Sequence, residues 1–204
     1  MEHGERLNTV THLAGALLAA GGAVTLMAKA IASGDDWKVV ASTGFGLSML
    51  LLYSSSTLYH ASGGARKALW ARVDHCAIYL LVAGTYLPFA LVTLRGPTGW
   101  VLLALVLAMA LLGVSKELWW GRKSTPSVLL YLATGWIGVA ALVPVTQRLD
   151  PGGLIGLLAG ALLYSTGVLF YCLDTRLRHA HGVWHLFVLG GTGSHYFTVL
   201  LFVV

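Results

Sequence analysis

The stretch RHAHGVWHLF, residues 178–187, places three histidines within seven positions. His181 and His185 are four apart, so a helix sets them on one face, about 6 Å apart along its axis. That spacing lets both imidazoles bind one metal ion. His60 can supply a third nitrogen, and three protein ligands with an open fourth position is the usual form of a catalytic zinc site. Ser56 precedes His60 by four residues and shares its helix face, although a serine at that spacing also serves by bonding the carbonyl four residues back. Asp74 is the nearby carboxylate. At a helix start it is favoured by the helix dipole, and beside a metal centre it orients the attacking water and takes its proton. Spacing alone makes a three-histidine site feasible without fixing the metal, since imidazole also suits copper, nickel and iron.

These residues have to be positioned by membrane helices. Of 204 residues, 57% are hydrophobic and only 10% charged, well below the charged share of soluble domains. The charges leave seven uncharged runs, 7–28, 39–65, 75–94, 96–115, 124–147, 151–173 and 179–204. Each is long enough to cross a hydrocarbon core about 30 Å thick. The fold class expected is therefore an all-α, seven-transmembrane helix bundle, one domain over 1–204. Its approximate spans are 9–31, 39–61, 73–94, 98–116, 126–146, 152–173 and 182–203. A membrane barrel would show short segments of alternating apolar and polar residues, and none occurs. The first segment is read as a retained helix, because its leader carries Glu2 and Glu5 against Arg6, contrary to a secretion signal.

Sidedness follows from the charges. The amino-terminal end and the second, fourth and sixth loops hold Arg6, Arg66, Lys67, Arg72, Lys116, Arg122, Lys123, Arg176 and Arg178. The opposite side holds Lys38, Arg95 and Arg148, with Lys29 near the outer end of the first segment. The positive-inside rule then puts the amino terminus in the cytoplasm and the carboxyl terminus outside, in a multi-pass protein of the inner cell membrane. Trp37, Trp70, Trp100, Trp119, Trp120 and Trp184 fall near segment ends, where amphipathic rings belong. The charge of +5 tracks the membrane and is no nucleic-acid signal. Cys76 and Cys172 form no disulfide framework and are read as packing residues. GLLAG, residues 156–160, is a small-residue pattern read as packing inside the bundle.

On this topology His60, Asp74, His181 and His185 all reach the cytoplasmic side at one depth. His75 and His179 are read as interfacial. His195 lies about 21 Å beyond His181 along the helix, too far to share its metal, and is expected to bond a neighbouring helix. Glu5, Asn8 and His12 form a polar stripe on the first segment that either caps it or walls the metal pocket.

ERLNTVTH (5–12), SSTLYH (55–60), VDHCAIYLLVAGTYLPF (73–89) and HGVWHLFVLGGTGSHY (181–196) resemble, in order and placement, the hemolysin III branch of the progestin and adipoQ receptor family. The resemblance implies seven helices and a zinc ion near the cytoplasmic face. It places that ion on the counterparts of His60, His181 and His185, with Asp74 and Ser56 near the zinc-bound water. Alkaline ceramidases are similar in their metal constellation. The 13 residues between His60 and Asp74 make a shorter connection than in the animal receptors, and the compact bacterial members are associated with membrane homeostasis.

The preferred expectation is a zinc-dependent hydrolase of an amide or ester of a membrane lipid, with Asp74 as base and Ser56 or the zinc stabilising the oxyanion. The rival is a non-enzymatic membrane sensor or regulator in which zinc ties helices together. A channel is disfavoured, because no segment carries a polar stripe along its full length.

Overall fold

A chain segment surrounded by hydrocarbon has to close its backbone hydrogen bonds within itself, and a helix does so in one piece. The computed structural model describes residues 5–119 and 127–204, so Glu2, Trp120, Arg122 and Lys123 lie outside the described residues. Helix α1 covers Glu5–Ala32, α2 Asp36–Ala61, α3 Gly64–Pro88, α4 Pro97–Trp119, α5 Ser127–Trp136, α6 Leu142–Thr146, α7 Pro151–Cys172 and α8 Ala180–Phe202. A π turn, Phe89–Thr93, extends α3, and a 3₁₀ segment, Ile137–Ala141, joins α5 to α6. Counting the last three as one, the described residues form seven rods and no strand.

Six of the rods are long and apolar enough to cross a membrane. The seventh, α8, matches them with 23 residues and no Asp, Glu, Lys or Arg, but three histidines and four glycines lower its mean hydropathy. Outward positions such as Leu17, Leu18, Val24, Leu111, Val143 and Ile155 are apolar and exposed, while Ser56, His60, Asp74, Glu117 and Thr192 are buried. That pattern reverses the soluble one and suits a lipid surround.

The expected spans match the helices to within four residues at every described end but one. Helix α3 begins at Gly64, nine residues before the expected start. Arg66, Lys67 and Arg72 sit within its first turns, because charges mark where the bilayer begins and have no power to stop a helix there. Both irregular turns lie next to a proline, and the one before Pro144 lies where a proline acts on its helix. Proline lacks the N–H that bonds the carbonyl four residues back and crowds that carbonyl. The π turn starts directly after Pro88, where Leu94 N–H reaches Phe89 O at 2.7 Å, and the 3₁₀ segment precedes Pro144. Tyr86 of α3 spans the latter break, donating to Gly135 O at 2.6 Å and accepting from Gly138 N–H at 2.8 Å.

Aspartates start two helices. Asp35 accepts from Trp37 N–H at 2.9 Å and Asp150 from Gly152 N–H at 2.7 Å, each satisfying a free first-turn donor. The Arg95 guanidinium also forks onto both Asp35 oxygens at 2.8 and 2.6 Å, and this partner holds the Asp35 carboxyl below its ordinary value of 3.8.

Consecutive rods are neighbours, and α8 closes the ring against α1. Tyr53 of α2 donates to Thr192 Oγ1 at 2.7 Å, Tyr196 to Gly22 O at 3.2 Å, Lys38 to Val204 O at 2.9 Å, and Lys29 to Leu200 O. GLLAG serves packing within the bundle, as expected. A Cβ on Gly160 would lie 2.3 Å from the His195 ring, so only glycine lets α7 and α8 approach this closely.

Candidate metal centre

The carboxyl-terminal end of α2 and the first turns of α8 meet at the same end of the bundle. They bring His60, His181 and His185 together so that one ligand atom from each lies within 4.8 Å of the others. Ring centroids are 5.1 Å apart for His60 and His181, 4.9 Å for His60 and His185, and 4.8 Å for the α8 pair. The four-residue spacing on α8 and the topology thus assemble the trio as the sequence indicates.

The Nδ1 atoms explain how the rings are aimed. His60 Nδ1 donates to Glu5 Oε2 at 2.6 Å, and His181 Nδ1 to Asp174 Oδ2 at 3.3 Å. His185 Nδ1 meets Thr11 Oγ1 at 3.3 Å. The Thr11 hydroxyl proton is directed to Leu7 O at 2.8 Å, so its oxygen accepts from His185. All three imidazoles therefore carry their proton on Nδ1, and Nε2 keeps the lone pair. His60 Nε2 is buried without a hydrogen-bond partner. Metal-binding histidines show this pattern, with the second nitrogen held by an oxygen that fixes tautomer and orientation. The donor set fits a divalent cation that takes imidazole ligands.

Glu5 is the hub of this support. Its carboxylate also accepts from Lys67 Nζ at 2.8 Å and Asn8 Nδ2 at 3.0 Å, tying α1 to α2 and α3. His12, one turn beyond Asn8, stacks on His185 with centroids 3.6 Å apart and planes 15° apart. Of the stripe Glu5, Asn8, His12, the histidine lines the cavity, while Asn8 bonds Glu5 and Glu5 holds His60. A Cβ on Gly15 would lie 2.6 Å from Tyr53, so glycine there lets Tyr53 lie against α1 and meet the His12 ring edge-on at 5.2 Å.

A cavity of about 210 Å³ opens beside the cluster. Its polar end is lined by His12, Ser56, Asp74, His181 and His185, and it continues past apolar residues such as Leu81, Phe89, Leu102 and Val145. Ser56 distinguishes itself from its neighbours. Ser55 bonds Leu52 O at 3.0 Å and Thr57 bonds Tyr53 O at 2.7 Å, whereas Ser56 Oγ is buried without a partner. The back-bonding role that such serines often take is therefore not the role of Ser56.

Two expectations need correction. Asp74 does not open its helix. It lies ten residues into α3, about 15 Å from the start, beyond the reach of the terminal dipole, and it is buried. His75 is not interfacial either: it is buried, lines the same cavity, and its Nδ1 lies 3.8 Å from Glu117 Oε2. Glu117 on α4 is 2% exposed and bonds Lys116 Nζ at 3.1 Å. Glu117, Asp174, Thr11 and Lys67 are partners the sequence reading missed. Glu117 alone carried a signal, as a carboxylate adjoining an apolar run. His179 stays outside the site, exposed and in a left-handed turn with φ +64° before α8. His195 behaves as expected, its Nε2–H donating to Leu157 O at 3.0 Å.

The chain is similar to known proteins over most of its length. The family model described as "Haemolysin-III related" matches residues 1–196. "Hemolysin-3" of Bacillus cereus is 42% identical over 202 residues, covering 98% of this chain and 92% of the relative. "Hemolysin-3 homolog" of Bacillus subtilis (strain 168) is 39% identical over 202 residues, covering 98% and 94%. The human "Monocyte to macrophage differentiation factor" is 27% identical over 174 residues, covering 82% and 72%. The chain belongs to the haemolysin-III-related family, the hemolysin III branch of the progestin and adipoQ receptor family that its motifs resemble.

Proposed function

We propose that this protein is a zinc-dependent hydrolase acting on an amide or ester of a membrane lipid, within a bundle that crosses the inner cell membrane seven times with its amino terminus in the cytoplasm. The observation that carries the reading is the cavity itself, where Ser56 and Asp74 share a lining with His181 and His185, the two histidines that cluster with His60, and with a long run of apolar residues. Along α8 the lining runs from His181 to His195, about 21 Å, a length suited to an acyl chain entering from the bilayer.

His60, His181 and His185 would hold the ion, with Glu5, Asp174 and Thr11 keeping their Nδ1 protons in place. Zinc on neutral imidazoles supplies Lewis acidity that makes a water nucleophilic near neutral pH. The Asp74 carboxylate accepts the proton of the attacking water at Oδ. The Ser56 hydroxyl, with no bond to its own helix, is available to donate to the developing oxyanion. The apolar lining holds the acyl chain and excludes bulk water from the polar end. Contribution to membrane homeostasis would follow from turnover of such a lipid.

The test is turnover of a long-chain fatty amide and its ester analogue by purified protein, with and without zinc. Zinc-dependent hydrolysis that is lost in Asp74→Ala supports the reading, and hydrolysis indifferent to that change sinks it. One observation favours the rival, a structural zinc in a sensor or regulator. Through Glu5 the cluster also joins α1 and α3 to α2 and α8. In that case His60→Ala lowers the melting temperature sharply, and no lipid is turned over by the parent protein.

A further inference from the structure

The hydrolase reading accounts for two of the unpartnered atoms at the site, His60 Nε2 as ligand and Ser56 Oγ as donor. It leaves His12 unexplained. This ring is 3% exposed, and both Nδ1 and Nε2 are buried with no hydrogen-bond partner. A neutral imidazole carries one N–H donor and one acceptor, so His12 leaves a donor and an acceptor unmade together, where each bears its full desolvation cost. Packing does not require this. A phenylalanine would stack on His185 and meet Tyr53 equally well, without placing polar atoms inside a membrane protein.

His12 is also not a fourth ligand. Its ring runs parallel to that of His185, 3.6 Å away, so it stands beside the ligand ring without converging on its target, and the clustered ligand atoms are those of His60, His181 and His185. It does face the cavity, in company with Ser56 and Asp74. A lipid head group brought to Asp74 and Ser56 thus comes against His12.

We propose that His12 is a specificity-determining residue that hydrogen-bonds the polar group of the bound acyl lipid and selects an amide over an ester. One ring nitrogen is turned away from the scissile group, because the two nitrogens of an imidazole diverge and cannot both reach one trans amide. The other accepts from the scissile N–H, which an amide has and an ester lacks. A site that leaves a buried acceptor unpaired with the wrong ligand discriminates against it. The inference rests on the hydrolase reading for the placement of the head group.

The test uses the full-length, zinc-loaded protein in detergent, with Asp74→Asn in every sample to prevent turnover. Calorimetry measures binding of palmitoyl ethanolamide and of its ester analogue, 2-hydroxyethyl palmitate. The parent is expected to bind the amide at least about tenfold more tightly, the worth of one hydrogen bond. Adding His12→Phe should abolish that preference by weakening the amide alone, with zinc content unchanged. His12→Gln, which keeps a donor and an acceptor, should retain most of it. Equal loss of both ligands, unchanged amide binding in His12→Phe, or failure of both His12 variants to fold would overturn the proposal. A protein that hydrolyses nothing but keeps a His12-dependent amide preference removes the hydrolase reading and leaves this one standing. Zinc-dependent turnover without such a preference does the reverse.

Discussion

Helix α8 carries three histidines, and two depths of it treat them differently. At its first turns His181 and His185 each bring a ring nitrogen into the cluster with His60, while oxygens from other segments meet their Nδ1 atoms. Three turns deeper, His195 reverses the roles: its Nε2–H is committed to the Leu157 carbonyl and its ring fills the space left by Gly160. The residue type is the same, and so is the low exposure of His185 and His195. What would separate a metal ligand from a strut is which nitrogen the surroundings occupy, because a neutral imidazole has only one lone pair to give.

Breaking the shallow site gives the largest expected effect. His60→Ala or His185→Ala should take zinc from one per chain to none, by metal analysis of purified protein, whereas His195→Ala should leave it at one. Next, Asp74→Asn should lower lipid turnover about 10²- to 10⁴-fold, the usual worth of a general base, with zinc retained. Glu5→Ala removes the oxygen that orients His60 and should weaken zinc about 10- to 100-fold in a competition titration. His195→Leu removes one buried hydrogen bond and should cost about 1 kcal/mol in stability without touching zinc.

The smallest effect belongs to the ion pair near the opposite end of α2. Asp35 is depressed by Arg95, so its contribution to stability is present above the ordinary carboxylate value and is lost as pH falls through the lowered one. Asp35→Asn should therefore shift the melting temperature slightly at neutral pH and not at all in strong acid, and salt should shrink the difference.

The sequence made the trio legible because both of its determinants are local: four residues between two histidines, and uncharged runs that count crossings. It also placed His195 correctly, by rise per residue alone. Asp74 was misplaced within its helix because charges report the bilayer surface, while α3 continues through Arg66, Lys67 and Arg72 to Gly64. His75 was misread because its partner, Glu117, lies on another helix, and no spacing rule connects α3 to α4. The partners of Nδ1 were hidden for the same reason. Glu5 reaches His60 across 55 positions and Thr11 reaches His185 across 174, and only the closure of α8 against α1 sets His12 against His185 at the cavity.

That closure has a consequence for how the molecule is made. Chains emerge from the ribosome at about 5–20 residues per second, so His12 and Glu5 precede His185 into the membrane by roughly ten to thirty-five seconds. Through that interval the bilayer holds two imidazoles, His12 and His60, whose neighbours on α8 do not yet exist. A cation held by the trio would lack two of its three ligands until the last helix is inserted, and a chain truncated before α8 should be recognised by quality control as a membrane protein with stranded polar groups.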